Sequence, residues 1–307
     1  MRLISVFILI FNFYSLFSQS AAETHYKIAK NKISGGYHFD AIKDLNKAIS
    51  LNPKYAIALV ERAKAKLYIQ EISEALLDIN TAIKIDGTIA EAYFVRAKIY
   101  NAMKEYDKAA PDLDKAVQLN PSYDEAKAEQ IFTKFYRKKE KEAFAAIDAE
   151  LKKKVNKAYL YYARGVLNNV KGKYGRAIDD FAKSLAIDST FCTFEIYYNR
   201  CIAEINIARL DEAMADISTA IRKEPGNPRG YFVRGRAQYE KGLYKDAIDD
   251  FNKMLAAYPD DAFSLYNIGM SYIKLEDYPQ ACTYLHKSCK LGYENGCKMT
   301  VIHCSKK

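Results

Sequence analysis

The stretch YFVRGRAQYEKGLYKDAIDDFNKMLAAYP, from Tyr231 to Pro259, decides the fold, because the chain contains a close variant of it elsewhere. From Tyr93 to Pro121 the sequence reads YFVRAKIYNAMKEYDKAAPDLDKAVQLNP. The shared alanines, Ala109 and Ala247, belong to a longer series. Ala41, Ala75, Ala109, Ala143 and Ala177 are each 34 residues apart; Ala213 follows after 36, and Ala247 and Ala281 after 34 again. A fixed period of this length is the signature of a repeat architecture. The series divides the chain into eight blocks, 22–55, 56–89, 90–123, 124–157, 158–191, 194–227, 228–261 and 262–295, with two residues inserted before the sixth.

Each block reads as two amphipathic helices. In the third, Tyr93, Ala97 and Tyr100 recur at helical spacing, and Ala109, Leu113 and Ala116 do so again. Small residues occupy one first-helix slot, as Ala63, Ala97, Gly165, Cys201, Gly235 and Gly269. Prolines at Pro53, Pro121, Pro225 and Pro259 stop the second helix, because proline disfavours helical geometry in the residue before it. Block 124–157 is the poorest, with Ile131 in the small slot, Glu150 for the second alanine and Val155 for the proline, so its helices are expected to be the least regular.

The set Tyr231, Gly235, Gly242, Tyr244, Ala247, Phe251 and Pro259, at a period of 34, resembles the tetratricopeptide repeat over residues 22–295. The resemblance implies an all-α fold: a right-handed solenoid of about eight helix-turn-helix units whose concave face binds peptides or protein segments. A capping helix and tail over 296–307 complete it.

The blocks also carry a charge pattern. Arg62, Arg96, Arg164, Arg200 and Arg234 are the seventh residues of their blocks; Asp78, Asp112, Asp180, Asp216 and Asp250 are the twenty-third of the same blocks. Blocks 124–157 and 262–295 lack both, and only Asp44 has no arginine in its own block. This co-occurrence predicts ion pairs Arg62–Asp78, Arg96–Asp112, Arg164–Asp180, Arg200–Asp216 and Arg234–Asp250, since a guanidinium binds a carboxylate bidentately. The competing reading is a row of arginines gripping an anionic ligand.

In the resembled family the first helix of each unit lines the groove. The fifth residues of successive blocks include Phe94, Tyr162, Tyr198, Phe232 and Tyr266, an aromatic ladder with Arg236 beside it. Aromatic side chains offer large, rigid contact area suited to a peptide, but packing between units would use them equally well. The Lys and Asn set of a two-carboxylate clamp is not present in any consecutive trio of blocks.

The net charge of +9 hints at an anionic partner. Nine basic residues against four acids fall within 134–157, including Lys138, Lys139, Lys152, Lys153 and Lys154. Such runs are usually solvated faces; the sharper alternative is contact with an anionic polymer or lipid surface.

Met1-Arg2 and the apolar run Leu3–Phe17, followed by small residues, read as a secretory signal peptide over 1–20, cleaved after Ser20. The run is short for spanning a membrane. No cysteine precedes Cys192, so a lipid-modified N-terminal cysteine is not expected. The expected product is periplasmic or secreted.

In such a compartment the clustered Cys282, Cys289, Cys297 and Cys304 read as disulfides. A last helix from about Asn295 packing back on its predecessor would pair Cys289 with Cys297 and Cys282 with Cys304. A zinc site with His286 or His303 is the rival arrangement. The last 25 residues also resemble Sel1-like repeats, whose Cys–x7–Cys pairs are bridged. A Cys192–Cys201 bridge would require the chain to fold back at the insertion.

The 307 residues, 50% hydrophobic and 28% charged, have the composition of a folded protein; seven prolines and 13 glycines are too few for a turn-rich β fold. No Gly-rich phosphate loop, nucleophile elbow or paired-histidine metal motif occurs. The expectation is a non-enzymatic scaffold with no cofactor and no metal, binding a protein or peptide rather than nucleic acid.

Overall fold

A computed structural model describes residues 2–152 and 157–304, with the backbone alone described for residues 2–17. Among the described residues there are seventeen helices and no strand. The chain divides into two compact units, ending and beginning at Arg164 and Gly165.

The first unit contains α1 (Arg2–Ser34), α2 (His38–Leu51), α3 (Ala56–Tyr68), α4 (Ile72–Ile85), α5 (Ala90–Ala102), α6 (Tyr106–Leu119), α7 (Asp124–Tyr136), α8 (Glu140–Lys152) and the start of α9 (Ala158–Val170). The second contains the rest of α9, then α10 (Tyr174–Ile187), α11 (Thr193–Asn206), α12 (Leu210–Lys223), α13 (Pro228–Glu240), α14 (Tyr244–Ala257), α15 (Ala262–Lys274), α16 (Tyr278–Lys290) and α17 (Glu294–Cys304). Within the units, α1 to α8 pack successively on one another, as do α10 to α17, through short turns. The poorest block is regular where it is described: α7 and α8 each run 13 residues. Its surviving Ala143 and Ile147 are fully buried, and this is enough to seat α8.

The turn within each pair is set by one left-handed residue. Gly36, Gly172 and Gly242 have φ of 80°, 69° and 79°; Gln70, Lys104, Lys138, Ala208 and Glu276 adopt 60–67° at the equivalent places. At Gly242 the amide donates to the Tyr239 carbonyl at 3.0 Å and the next amide, of Leu243, reaches back to the Gln238 carbonyl at 2.9 Å. These bonds satisfy carbonyls that the helix end would otherwise leave bare.

Among the described residues the core is divided into several clusters. In the first unit Ala75, Ile79 and Ala82 of α4 are buried against Leu59, Val60 and Ala63 of α3, and against Ala92, Val95 and Ile99 of α5. Helix α4 thus fills the gap between two first helices, and the repeat completes its core on a neighbour. Burying a side chain such as Ile79 contributes roughly 2 kcal/mol. Glycine permits a close approach: a Cβ on Gly235 would stand 2.8 Å from Cε1 of Phe251.

Helix α1 continues through the expected cleavage point. Ser18 Oγ donates to the Leu51 carbonyl at 2.8 Å, and Ala22 is fully buried. Among the described residues, no helix is long and apolar enough to cross a membrane.

Candidate functional site

The arginine–aspartate slots come first, because they tie the first helices to the second. Arg62 grips Asp78 with two bonds of 2.8 and 2.6 Å, and Arg96 grips Asp112 with two of 2.7 Å. In the second unit Arg200 and Arg234 do the same to Asp216 and Asp250, at 2.5–2.9 Å. Hydrogen bonding to the aspartate holds the Arg96, Arg200 and Arg234 guanidinium pKa values above their usual range. Arg164, at the end of the first unit, donates to Asp148 at 3.3 Å; Asp180, in the second, accepts from Asn168 at 3.0 Å.

Two features of these slots were not read from the sequence. Each arginine in the first unit also reaches the preceding second helix: Arg62 Nη1 donates to Asn46 at 2.8 Å and Arg96 Nη1 to Asn80 at 3.0 Å. One guanidinium therefore ties three helices. Asp44, which has no arginine in its block, is served instead by Lys32 at 2.7 Å and His25 at 3.2 Å. The signal for Lys32 was available, since Lys66 stands 34 residues on and its Nζ lies 2.9 Å from Asp78.

All five ladder aromatics are half-buried, and each ring meets another. Phe94 lies 4.9 Å from Tyr123, and Tyr162 lies 5.9 Å edge-on from Phe132. Tyr198 stacks near Phe194 at 5.7 Å, with the Arg229 guanidinium 4.4 Å from its centroid. Part of each ring therefore serves packing between helices, and the rest faces outward.

In the second unit two of these rings, Phe232 and Tyr266, open onto a cleft of about 450 Å³ lined also by Arg236, Met254, Phe263 and Tyr293, with Asp261 and Asn267. Phe263 is 54% exposed, so the site presents apolar surface to solvent. Tyr293 comes from the turn before α17; its ring sits 4.6 Å from Phe263 and 5.2 Å from Tyr266. Asp261 is occupied, accepting the Ser264 amide at 2.7 Å as the cap of α15. Among the described residues, Arg236 forms no ion pair. The cleft thus combines four rings with a cation that lacks a partner, an arrangement that can seat an apolar side chain beside an anionic group. Phe263 and Tyr293 escaped sequence reasoning because they lie outside the fifth-residue series and meet only through the turn.

The basic stretch is less concentrated than its composition implies. Lys138, Lys139 and Lys152 are exposed, but Lys139 pairs with Glu142 at 3.3 Å and Arg137 with Asp107 at 2.7 Å. Lys153 and Lys154 lie outside the described residues.

At the C-terminus, disulfides join Cys282 to Cys304 and Cys289 to Cys297, with Cα–Cα distances of 5.6 and 4.5 Å. These bonds take the four thiols that a zinc site would need as thiolates. No disulfide joins Cys192 to Cys201, because Cys201 points into the core of α11–α13 and is fully buried.

Antiparallel helix pairs at a period of 34, with small residues at their crossings, are the arrangement of the tetratricopeptide repeat. Residues 90–123, 202–262 and 263–291 each match a model of the tetratricopeptide repeat, and the chain carries such repeats. It is similar to DnaJ homolog subfamily C member 7 homolog of Dictyostelium discoideum, 30% identical over 97 residues, which are 31% of this chain and 18% of that protein. It is also similar to Small glutamine-rich tetratricopeptide repeat-containing protein 2 of Saccharomyces cerevisiae, 28% identical over 115 residues, covering 38% of this chain and 32% of the relative. The chain therefore spans less than a third of these relatives. Among solved structures, it is similar to a chain in the crystal structure of the APC/C hetero-tetramer Cut9-Hcn1, with a TM-score of 0.62 at 15% identity, over 90% of this chain and 55% of that one. At that identity the likeness is one of fold.

Proposed function

We propose that this protein is an exported, non-enzymatic scaffold that binds a peptide or protein partner along its first helices, with the Phe232–Arg236–Tyr266 cleft as the main contact. The observation that carries this reading is the cleft itself: exposed Phe263 and the unpaired Arg236 lie in one concavity, where a folded chain without a ligand would normally cover the first and neutralise the second. Repeats of this class are typically scaffolds, and the two disulfides fit an oxidising compartment. The signal peptide over 1–20 is part of the same proposal; sequencing the N-terminus of protein recovered from the cell envelope should begin at Ala21.

The binding test is a photo-crosslinking side chain at Phe263 in intact cells. One protein is expected to be captured, and Arg236→Glu in the same chain is expected to abolish capture. The alternative, an anionic polymer or lipid bound through Lys138, Lys139 and Lys152, predicts loss of envelope binding on charge reversal of these lysines with Arg236→Glu silent. Steep weakening by salt would accompany it.

A further inference from the structure

The aspartate slot of the second helix receives a second visitor from the eleventh residue of the first helix. Lys32 donates to Asp44 at 2.7 Å, Lys66 Nζ lies 2.9 Å from Asp78, and Asn168 donates to Asp180 at 3.0 Å. All three are hydrogen-bond donors, as a carboxylate neighbour requires. In block 194–227 the eleventh residue is Glu204, which when ionised has nothing to donate.

Glu204 is 5% exposed, and its Oε2 is buried without a hydrogen-bond partner. Its Oε1 lies 3.9 Å from Arg200 Nε, but that guanidinium is already committed to Asp216 by bonds of 2.5 and 2.7 Å. Two carboxyl groups thus face one arginine. The other ionisable groups nearby add no cation in contact: Cys201 is on the same helix, Glu212 comes from α12, and Arg236 of α13 acts by its charge on Cys201. Among the described residues no charged side chain of α10 pairs with Glu204.

A carboxylate buried beside another, with their one cation already bound, is less stable than its neutral acid. We propose that Glu204 is a neutral, protonated carboxyl in the folded protein, so that the sixth repeat takes up one proton as it folds and is weakened when that proton is lost. Burial above all, and then the Asp216 charge, push the Glu204 carboxyl up to about 8, while Arg200 pulls it down. In the unfolded chain it ionises near about 4.3. Because the folded value is the higher, the contribution to stability is complete below the unfolded value and is lost as pH rises toward the folded one. Within that window the folding equilibrium should fall by about tenfold per pH unit on account of this residue.

The test is chemical denaturation of the full chain across this window, beside Glu204→Gln, which keeps the shape and supplies an amide donor. The wild type is expected to lose stability relative to the variant by about tenfold per unit as pH rises from about 5 to about 8. Parallel profiles for the two proteins would overturn the proposal. Glu204→Lys restores the arrangement of Lys66 with Asp78 and should remove the same slope. If neither variant folds, the carboxyl carbon of Glu204 in the wild type, followed by NMR, decides: a protonated position at neutral pH supports the proposal, and an ionised one overturns it.

Discussion

The ring of Tyr293 packs 4.6 Å from that of Phe263, so one wall of the candidate cleft belongs to the turn that the Cys289–Cys297 disulfide closes. The candidate cleft and the covalent cap therefore share one turn. Replacing both cysteines by serine, with Cys282–Cys304 left intact, is expected to cost about 2–3 kcal/mol, the scale of chain entropy released by opening so short a loop. Hydrogen exchange should show faster exchange in residues 290–297, with capture at Phe263 weakened. Unchanged protection there would mean that helix packing alone holds the turn.

The arginine–aspartate pairs are predicted to act on stability. Asp112 lies almost wholly buried beneath Arg96, and removing it leaves the guanidinium without its main partner. Asp112→Ala should destabilise the chain by about 2–4 kcal/mol in urea unfolding, because breaking a buried pair costs more than the pair contributes net. Partner capture at Phe263, in the other unit, should persist. Lost capture with stability unchanged would instead identify the arginines as ligand contacts.

Left-handed turns held by side-chain-bearing residues are places where the sequence can be improved. Ala208 has φ 60° where Gly242 has 79° in the next repeat. Ala208→Gly is expected to raise stability by about 0.5–1 kcal/mol, relief of the Cβ strain exceeding the added unfolded-chain entropy. Gly242→Ala should lower it by about 1 kcal/mol. Thermal melts of the two variants should move in opposite directions.

His38 provides a pH signature at the acid end. Its ring stacks 3.7 Å from that of Tyr68, and its Nδ1 is buried without a hydrogen-bond partner. Burial first, and then the Lys64 charge, lower its pKa to about 4. The folded state therefore refuses a proton that the unfolded chain accepts below about 6.5, so stability falls as pH drops from there toward 4, by on the order of 3 kcal/mol in total. His38→Phe, which keeps the stack, should flatten this part of the melting-temperature profile. A slope unaltered by the substitution would assign it to other groups.

The sequence declared its helical repeats because their physics is local and periodic. Ala75, Ala109 and Ala247 recur at a fixed place in the second helix, and all three are fully buried there. The arginine and aspartate sixteen residues apart were visible as a co-occurrence for the same reason: both partners lie in one repeat. Asn46 beneath Arg62 was harder to see, because the two belong to different blocks.

What the sequence by itself determined is the class of fold, the register of its repeats and the residues available for a groove. Tertiary structure alone decided which of those residues meet. Tyr293 is thirty positions from Phe263 and outside the aromatic series, yet it completes the cleft. Glu204 is unremarkable as a surface-type residue until Asp216 and a committed Arg200 stand beside it. Period reports contacts that repeat; the charge state of a buried group and the shape of a cleft depend on the neighbours that break the repeat.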